Sequence, residues 1–335
     1  MRIRFSTANC ANALMLAAVL LAPATGQVSS KPAASPPRTP DGRPNLEGIW
    51  TNNTLTPLER PADLRDTPAL TEQAAAAYEK QVVTGRNRDR RDSDPEVDVG
   101  RAYNELFFDQ GARLARIGGT IRSSIIVDPP DGRIPPLTPA AQKRVDAARE
   151  HARLHPADRA QDRSLTERCV FWATAGPPML PGPYNNTYQI YQTPGYVAIL
   201  SEMIHETRII PLDGRPHVPP SVRKWTGDSR GHWEGDTLVI DTTNFTDKTN
   251  FRGADENLHV IERITRTSAD AMLYRFTIDD PTAFTKPWTG ELPLTAAPGP
   301  IYEYACHEGN YAIVDILAGA RAEEKKVDAA RKPSK

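Results

Sequence analysis

From residue 184 onward the chain is a succession of short segments that favour β-strands, with no helices predicted between them. This succession limits the folds that the chain can adopt. Gly, Pro, Asn and Asp, which interrupt strands and form turns, separate the segments. Strands connected this closely pair antiparallel, because a parallel connection needs a crossover of roughly a dozen residues. The pattern predicts a mainly β fold, an antiparallel meander that forms a barrel, with a sandwich as the alternative. The predicted strands are 186–192, 196–203, 206–212, 231–234, 237–245, 258–267, 272–279 and 301–306.

A dense polar and aromatic run lies in the middle of this region: Arg230-Gly231-His232-Trp233-Glu234-Gly235-Asp236-Thr237-Leu238-Val239-Ile240-Asp241. Gly235-Asp236 interrupts residues that favour strands, which predicts a tight hairpin. A second run of similar composition, Tyr304-Ala305-Cys306-His307-Glu308-Gly309-Asn310-Tyr311, is interpreted as the end of a strand and the start of a helix. Both runs place functional groups at strand ends, where binding sites are often built.

Three helices are predicted outside the meander. Two lie in the N-terminal half: one spans 70–83 with Thr71 as its N-cap, and one begins at Thr138-Pro139 and ends between 151 and 154. Thr accepts a hydrogen bond from the first helical turn, and Pro fits the first helical position. The charged region 86–100 between them is interpreted as a loop. The third helix follows Asn310 and ends near residue 323.

The N-terminus has the pattern of a secretory signal. Arg2 and Arg4 precede the apolar segment 13–22, and small residues follow it up to Gly26. The apolar segment is too short to span a membrane. This pattern predicts a signal peptide over 1–26 and export to the periplasm or the medium.

The remaining chain is divided by composition. Residues 27–45 are rich in Pro and Ser and are interpreted as a linker. A single β-rich domain is expected over 46–323, with a loop- and helix-rich part at 46–165 and the meander with its C-terminal helix at 184–323. The charged tail 324–335 is expected to be disordered.

Cys169 and Cys306 are the two cysteines outside the predicted signal peptide. An even pair in an exported chain suggests one disulfide, which would close a loop of 306 − 169 = 137 residues. Two buried free thiols are the alternative. The absence of a C-x-x-C pair argues against a redox centre.

Composition excludes several partners. The formal net charge is −1, with 41 basic and 42 acidic residues, and no basic stretch has interleaved aromatic residues. We therefore expect no nucleic-acid binding. We expect no transmembrane segment either, because no segment after 13–22 approaches the length of an apolar membrane-spanning helix. No cofactor is predicted.

Residues 258–266 place charged groups on both faces of a predicted strand. Glu262 and Arg266 lie too far apart along the strand to pair directly, so their four candidate partners lie on other strands. A charge that points into a barrel must be paired, hydrogen-bonded or hydrated. The candidate neighbours are Arg275, Asp279, Glu206 and Arg208. This composition fits either a structural ion-pair lattice or a polar ligand cavity.

The candidate catalytic residues are acids and bases that could exchange protons with a substrate: His205, Glu262, His307 and Glu308. Arg263 and Arg266 are candidate ligands for an anion. His232, Trp233 and Tyr304 are candidate ligand contacts, because each aromatic residue lies near a histidine and a strand end. No metal site is predicted, since no H-x-H or H-E-x-x-H spacing occurs; convergence of His205, His217 and His307 is the alternative.

The chain resembles a large, poorly characterised family of exported proteins from soil and environmental bacteria. The matching segments are spread over nearly the whole chain beyond the signal: Pro44–Trp50, Ser124–Pro135, Tyr184–Ile190, Gly227–Val239 and Glu303–Tyr311. This resemblance implies export and a single intact unit, and it implies no particular reaction.

A second resemblance is to lipocalin-like (calycin) barrels. In those barrels a Gly-x-Trp on the first strand packs against an arginine from late in the chain. Gly48-Ile49-Trp50 matches the first element, and Arg321 or Arg263 is the candidate for the second. The resemblance implies a cup-shaped site for a small, partly apolar molecule.

These observations support three functional hypotheses. The first is an exported protein that binds a small organic molecule in a mixed polar and apolar barrel cavity. The second is an exported hydrolase, lyase or isomerase that uses His and Glu for acid–base chemistry on a small organic substrate. The third is a structural protein of the envelope whose charges are paired.

Overall fold

The computed structural model describes residues 36–87, 91–101 and 108–331. The predicted signal peptide therefore lies outside the described residues. The strands are β1 (Gly48–Thr51), β2 (Ala69–Leu70), β3 (Arg116–Ile117), β4 (Thr120–Arg122), β5 (Ile126–Asp128), β6 (Thr187–Gln192), β7 (Tyr196–Ser201), β8 (Thr207–Pro211), β9 (Asp228–Glu234), β10 (Thr237–Thr243), β11 (His259–Arg266), β12 (Ala271–Asp279) and β13 (Trp288–Ala296). The helices are α1 (Glu72–Arg86), α2 (Pro95–Arg101), α3 (Pro139–Leu154) and α4 (Ala312–Arg331).

The main sheet is an antiparallel meander that is nearly closed into a barrel. Its strand order is β8-β7-β6-β1-β13-β12-β11-β10-β9, and β5 also pairs with β13. The two edge strands, β8 and β9, approach each other without joining the hydrogen-bond ladder. At this seam a Cβ added to Gly231 would lie 2.7 Å from Leu212 Cδ2 and 2.9 Å from Ile210 Cγ2. The barrel prediction is confirmed.

The core fills the inside of the barrel. Alternate residues of the strands point inward, because successive side chains of a strand lie on opposite faces. On β12 the inward set includes Tyr274, Phe276 and Ile278, none of which is exposed to solvent. Trp50 and Trp288 add the largest side chains of the same core. Aromatic residues of this size make a dense core.

The predicted hairpin is confirmed. Glu234 of β9 pairs with Thr237 of β10, and Gly235 between them has φ 58°, a value that glycine adopts without steric cost. Strand β9 begins earlier than predicted, at Asp228.

The helices largely follow the sequence signals. Thr71 and Thr138 each accept a hydrogen bond of 3.2 Å from a backbone N–H of the first turn, as predicted. The region 86–100, interpreted as a loop, contains the additional helix α2. The sequence Asp94-Pro95-Glu96 could have predicted the start of this helix. Asp94 Oδ1 accepts a hydrogen bond from the Glu96 N–H at 2.9 Å, and Pro95 takes the first helical position.

Near the C-terminus one strand prediction was wrong and one strand was not predicted. Residues 301–306 form no strand, and the Tyr302 N–H donates to a side chain, Glu202 Oε1, rather than to a neighbouring strand. Strand β13 was missed because it contains Pro293, a residue normally excluded from central strands. Pro293 nevertheless lies opposite Leu273 of β12.

The ends of the domain also differ from expectation. Residues 36–45, assigned to the linker, fold back on the barrel, where the Arg38 guanidinium lies 2.7 Å from a carboxylate oxygen of Asp236. Helix α4 begins as predicted but continues to Arg331, through residues expected to be disordered. In the part of the chain that the structure describes, no helix has the length and apolar character needed to cross a membrane.

Candidate functional site

An ion pair occupies the interior of the barrel. Arg208 of β8 contacts Glu262 of β11 through two hydrogen bonds, Nη1 to Oε2 at 2.6 Å and Nη2 to Oε1 at 2.9 Å. Both side chains are almost wholly buried, at 4% and 0% exposure. Burial alone would lower the pKa of Arg208, but the attraction and hydrogen bonds of Glu262 outweigh it and raise that pKa.

Two tyrosines complete this polar centre. The Tyr274 hydroxyl donates to Glu262 Oε1 at 2.7 Å and accepts from the Met179 N–H at 2.9 Å. The Tyr188 hydroxyl donates to the Thr174 carbonyl at 3.0 Å. Burial raises the pKa of both phenols above the usual value, so both hydroxyls stay protonated.

For Glu262 the structure therefore selects one of the four candidate neighbours, Arg208. Arg208 donates two hydrogen bonds to the Glu262 carboxylate and Tyr274 donates a third. This arrangement has the geometry of the structural ion pair considered in the sequence analysis.

The arginine that packs on Trp50 is Arg266, rather than Arg321 or Arg263. Its guanidinium lies 5.0 Å from the centre of the Trp50 ring and donates to the backbone carbonyls of Asn45, Ser268 and Ala269. Arg321 instead donates to the carbonyls of residues 157 and 158. Arg266 therefore lies over Trp50 of β1 and connects Asn45, which precedes β1, to the turn that follows β11.

His232 and Arg263 lie together on the outer face of the barrel. Both contact Glu234, His232 at 3.2 Å and Arg263 at 2.6 Å, and all three side chains are more than one third exposed. The neighbouring Trp233 points the other way and packs against the core, with the Arg43 guanidinium 5.7 Å from its ring.

The remaining candidate acids and bases are at the surface. His205 is exposed in a tight turn after β7, with φ 40°. His307 and Glu308 are exposed beyond the last cysteine. No contact among the described residues joins His205, Glu262 and His307.

Cys169 and Cys306 form the expected disulfide, with their Cα atoms 5.8 Å apart. The bond attaches the segment after β13 to the loop before β6. The segment 296–304, which lies between β13 and the disulfide, forms one wall of a large groove.

This groove, which we call the tyrosine groove, has a volume of 1180 Å³ and is partly open to solvent. Its other wall is formed where β1, β6 and β7 meet, at Thr51, Thr187 and Glu202. The side chains around it include three tyrosines, three carboxylates and two amides: Tyr184, Tyr302, Tyr304, Asp109, Glu202, Glu303, Asn53 and Asn185. Of the predicted ligand contacts, Tyr304 lies here.

The aromatic part of the groove is a packed cluster. The Tyr184 and Tyr304 rings stack with centroids 6.4 Å apart, and Trp172 meets both rings edge to face at 5.8 and 6.2 Å. Trp172 also lines a smaller cavity of 310 Å³. Rings that pack against one another in this way form an apolar surface on which a ligand can stack.

The acidic part of the groove is held by hydrogen bonds. Glu202 Oε1 accepts from the Tyr302 N–H at 3.2 Å, and Asp109 Oδ1 accepts from Asn53 Nδ2 at 2.6 Å. Glu202 is only 7% exposed. Among the described residues, neither Glu202 nor Asp109 has a basic partner, and the lining contains no Lys, Arg or His.

A second polar cluster lies on the outer face of β9 to β11 and was missed in the sequence. His217 Nδ1 lies 3.1 Å from Asp228 Oδ2, and His217 Nε2 lies 2.8 Å from Asp241 Oδ1. The other oxygen of Asp241 lies 2.7 Å from His259 Nε2. The chain of contacts His217–Asp241–His259 thus bridges two imidazoles through one carboxylate.

Hydrogen bonds and charge shift the pKa values of His259 and Asp241. The hydrogen bond to Asp241 raises the pKa of His259 above its usual value, although partial burial opposes the shift. Burial alone would raise the pKa of Asp241, but hydrogen bonds and charge from His259 and His217 outweigh it and lower that pKa.

Within the described residues, no three His, Cys, Asp or Glu side chains are arranged to hold a metal ion. The three histidines of the alternative metal site do not converge: His217 lies between two aspartates, whereas His205 and His307 are exposed elsewhere. Comparison of the chain with family models, with curated proteins and with solved structures gave no match.

Proposed function

We propose that this protein is exported and binds a small organic molecule in the tyrosine groove. The observation that carries the proposal is the groove itself, 1180 Å³ in volume, with a packed aromatic cluster beside a nearly buried carboxylate. Ligand sites are typically concave, mostly apolar, and supplied with a few convergent polar groups. The barrel interior is a poorer candidate, since Arg208, Glu262 and large aromatic side chains fill it.

Export is supported by two observations. The N-terminal residues have the signal-peptide pattern, and the Cys169–Cys306 disulfide is typical of an oxidising compartment. N-terminal sequencing of the protein recovered outside the cytoplasm should begin near Gln27. Recovery of the full-length chain in the cytoplasm alone would contradict export.

Native mass spectrometry of protein purified from its producing organism tests the groove. We expect the wild type to carry an organic molecule and Tyr304→Ala to lose it. Tyr191→Ala is the matched control, because Tyr191 is an exposed tyrosine on β6 outside the groove lining. A wild-type protein that retains no molecule, and is stabilised by no member of a diverse small-molecule library, would contradict the proposal.

An acid–base enzyme is the second candidate, and the His217–Asp241–His259 contacts favour it. A carboxylate that holds an imidazole in place and stabilises its charged form is a common arrangement for a proton donor or acceptor. The test is a substrate screen at several pH values with His259→Gln and, as control, the exposed His151→Gln. Turnover lost only in His259→Gln supports the enzyme, whereas equal turnover in both variants contradicts it.

A further inference from the structure

The charges around the tyrosine groove have one sign. Asp109, Glu202 and Glu303 contribute carboxylates, and the lining supplied by described residues includes no basic side chain. A cleft lined by charges of one sign concentrates the field and attracts ligands of the opposite sign. An anionic ligand would therefore meet repulsion at this site.

Glu202 distinguishes this site from an ordinary acidic surface. Its side chain is 7% exposed, lines the groove, and receives one backbone hydrogen bond from Tyr302, while no described cation contacts it. A nearly buried carboxylate without a counter-charge is unfavourable, and a bound cation would remove that cost. The buried Glu262, by contrast, has Arg208 as its partner within the protein.

The aromatic cluster supplies the other half of the recognition chemistry. Tyr184 and Tyr304 present a stacked pair of rings at the same groove. Ring faces attract cations and also pack against apolar groups. From these features together we infer that the tyrosine groove selects a small organic cation with an apolar body, such as an arylalkyl amine.

This inference rests on the proposed function, and three probes of similar size test it: 2-phenylethylammonium, 2-phenylethanol and phenylacetate. Calorimetric titration of the full chain should show the ammonium binding roughly tenfold more tightly than the alcohol, and phenylacetate binding most weakly. Glu202→Gln should reduce the ammonium to the affinity of the alcohol. Gln keeps an oxygen that accepts from the Tyr302 N–H, so the groove wall should stay in place.

Two further variants separate the possible outcomes. Glu150→Gln on α3 makes the same change of charge outside the groove and should leave all three affinities unchanged. Tyr304→Ala should weaken the ammonium and the alcohol alike. Equal binding of ammonium and alcohol, with no effect of Glu202→Gln, would overturn the cation inference.

Failure of the inference and failure of the proposed function have different signatures. If none of the probes binds but a retained molecule is lost in Tyr304→Ala, the ligand class is wrong and the groove is right. If no probe binds and Tyr304→Ala changes nothing, both are wrong.

Discussion

The guanidinium of Arg208 lies 2.6 Å from the carboxylate of Glu262 in the interior of the barrel, where neither side chain is appreciably exposed. Arg208 belongs to β8, one edge of the meander, and Glu262 belongs to β11, the third strand counted from the opposite edge, β9. The pair thus joins two parts of the sheet that no backbone hydrogen bond connects directly, and Tyr274 binds the same carboxylate.

Removing the charge of Glu262 should therefore destabilise the fold strongly. In Glu262→Gln the Arg208 cation stays buried without a counter-charge, and we expect a loss of about 3–5 kcal/mol in unfolding free energy. Glu234→Gln is the control: it breaks a pair with Arg263 on the exposed outer face, where solvent screens the attraction, and should cost far less. Denaturant unfolding measures both, and similar small losses would contradict a structural role for the buried pair.

The seam between β8 and β9 depends on the missing side chain of Gly231. In Gly231→Ala the new methyl group would overlap Leu212 and Ile210, and we expect a loss of about 1–3 kcal/mol. Gly319→Ala in α4 places a methyl group in open space and should be neutral or stabilising by up to about 1 kcal/mol. Equal melting temperatures of Gly231→Ala and the wild type would show that the two edges are not packed together.

The disulfide should stabilise both the fold and the groove wall. Replacing Cys169 and Cys306 by Ser opens a loop of 137 residues, which costs about 4–5 kcal/mol in the chain-entropy model. Loss of the disulfide should increase the rate of hydrogen exchange more in residues 297–306 than in the barrel strands. Two titratable thiols in the unfolded, unreduced protein that lacks Cys10 would contradict the bond.

His259 should link stability to pH. Its pKa is raised in the folded state, so its contribution is fully present below the unfolded value of about 6.5 and is lost as the pH rises through the folded pKa. We therefore expect the unfolding free energy to fall as the pH rises from the unfolded pKa of His259 through its folded pKa. Asp241→Asn should remove this pH dependence. The NMR titration of the His259 ring should have its midpoint above 6.5, and a midpoint at or below this value would contradict the contact with Asp241.

The local elements of this fold follow from local signals. Thr71 and Thr138 cap helices, Gly235 forms a hairpin, and alternation identifies most strands. The errors also have local causes. Strand β13 contains Pro293, which is unfavourable in a central strand, and the alternating residues at 301–306 resemble a strand although they form none. After Pro298 and Pro300, which lack a backbone N–H, that segment instead crosses to Glu202.

The candidate site is much less visible in the sequence than the fold. Tyr304 was predicted as a ligand contact, but the groove also needs Glu202, Tyr184 and Asp109, which come from separate parts of the chain. Their convergence depends on the tertiary path of 296–304 and on the disulfide. For Glu262, the sequence supplied Arg208 as one candidate partner, and only the barrel geometry selects it from the others.

The position of a bound ligand on the protein shows directly whether small molecules bind in the tyrosine groove. A diazirine derivative of 2-phenylethylammonium can be cross-linked to the wild-type protein and the labelled peptides identified by mass spectrometry. We expect labels in residues 184–187 and 297–304, and we expect them to be lost when excess underivatised 2-phenylethylammonium competes. Competable labels confined to other parts of the barrel, such as the outer face at His217 and Asp241, would contradict it.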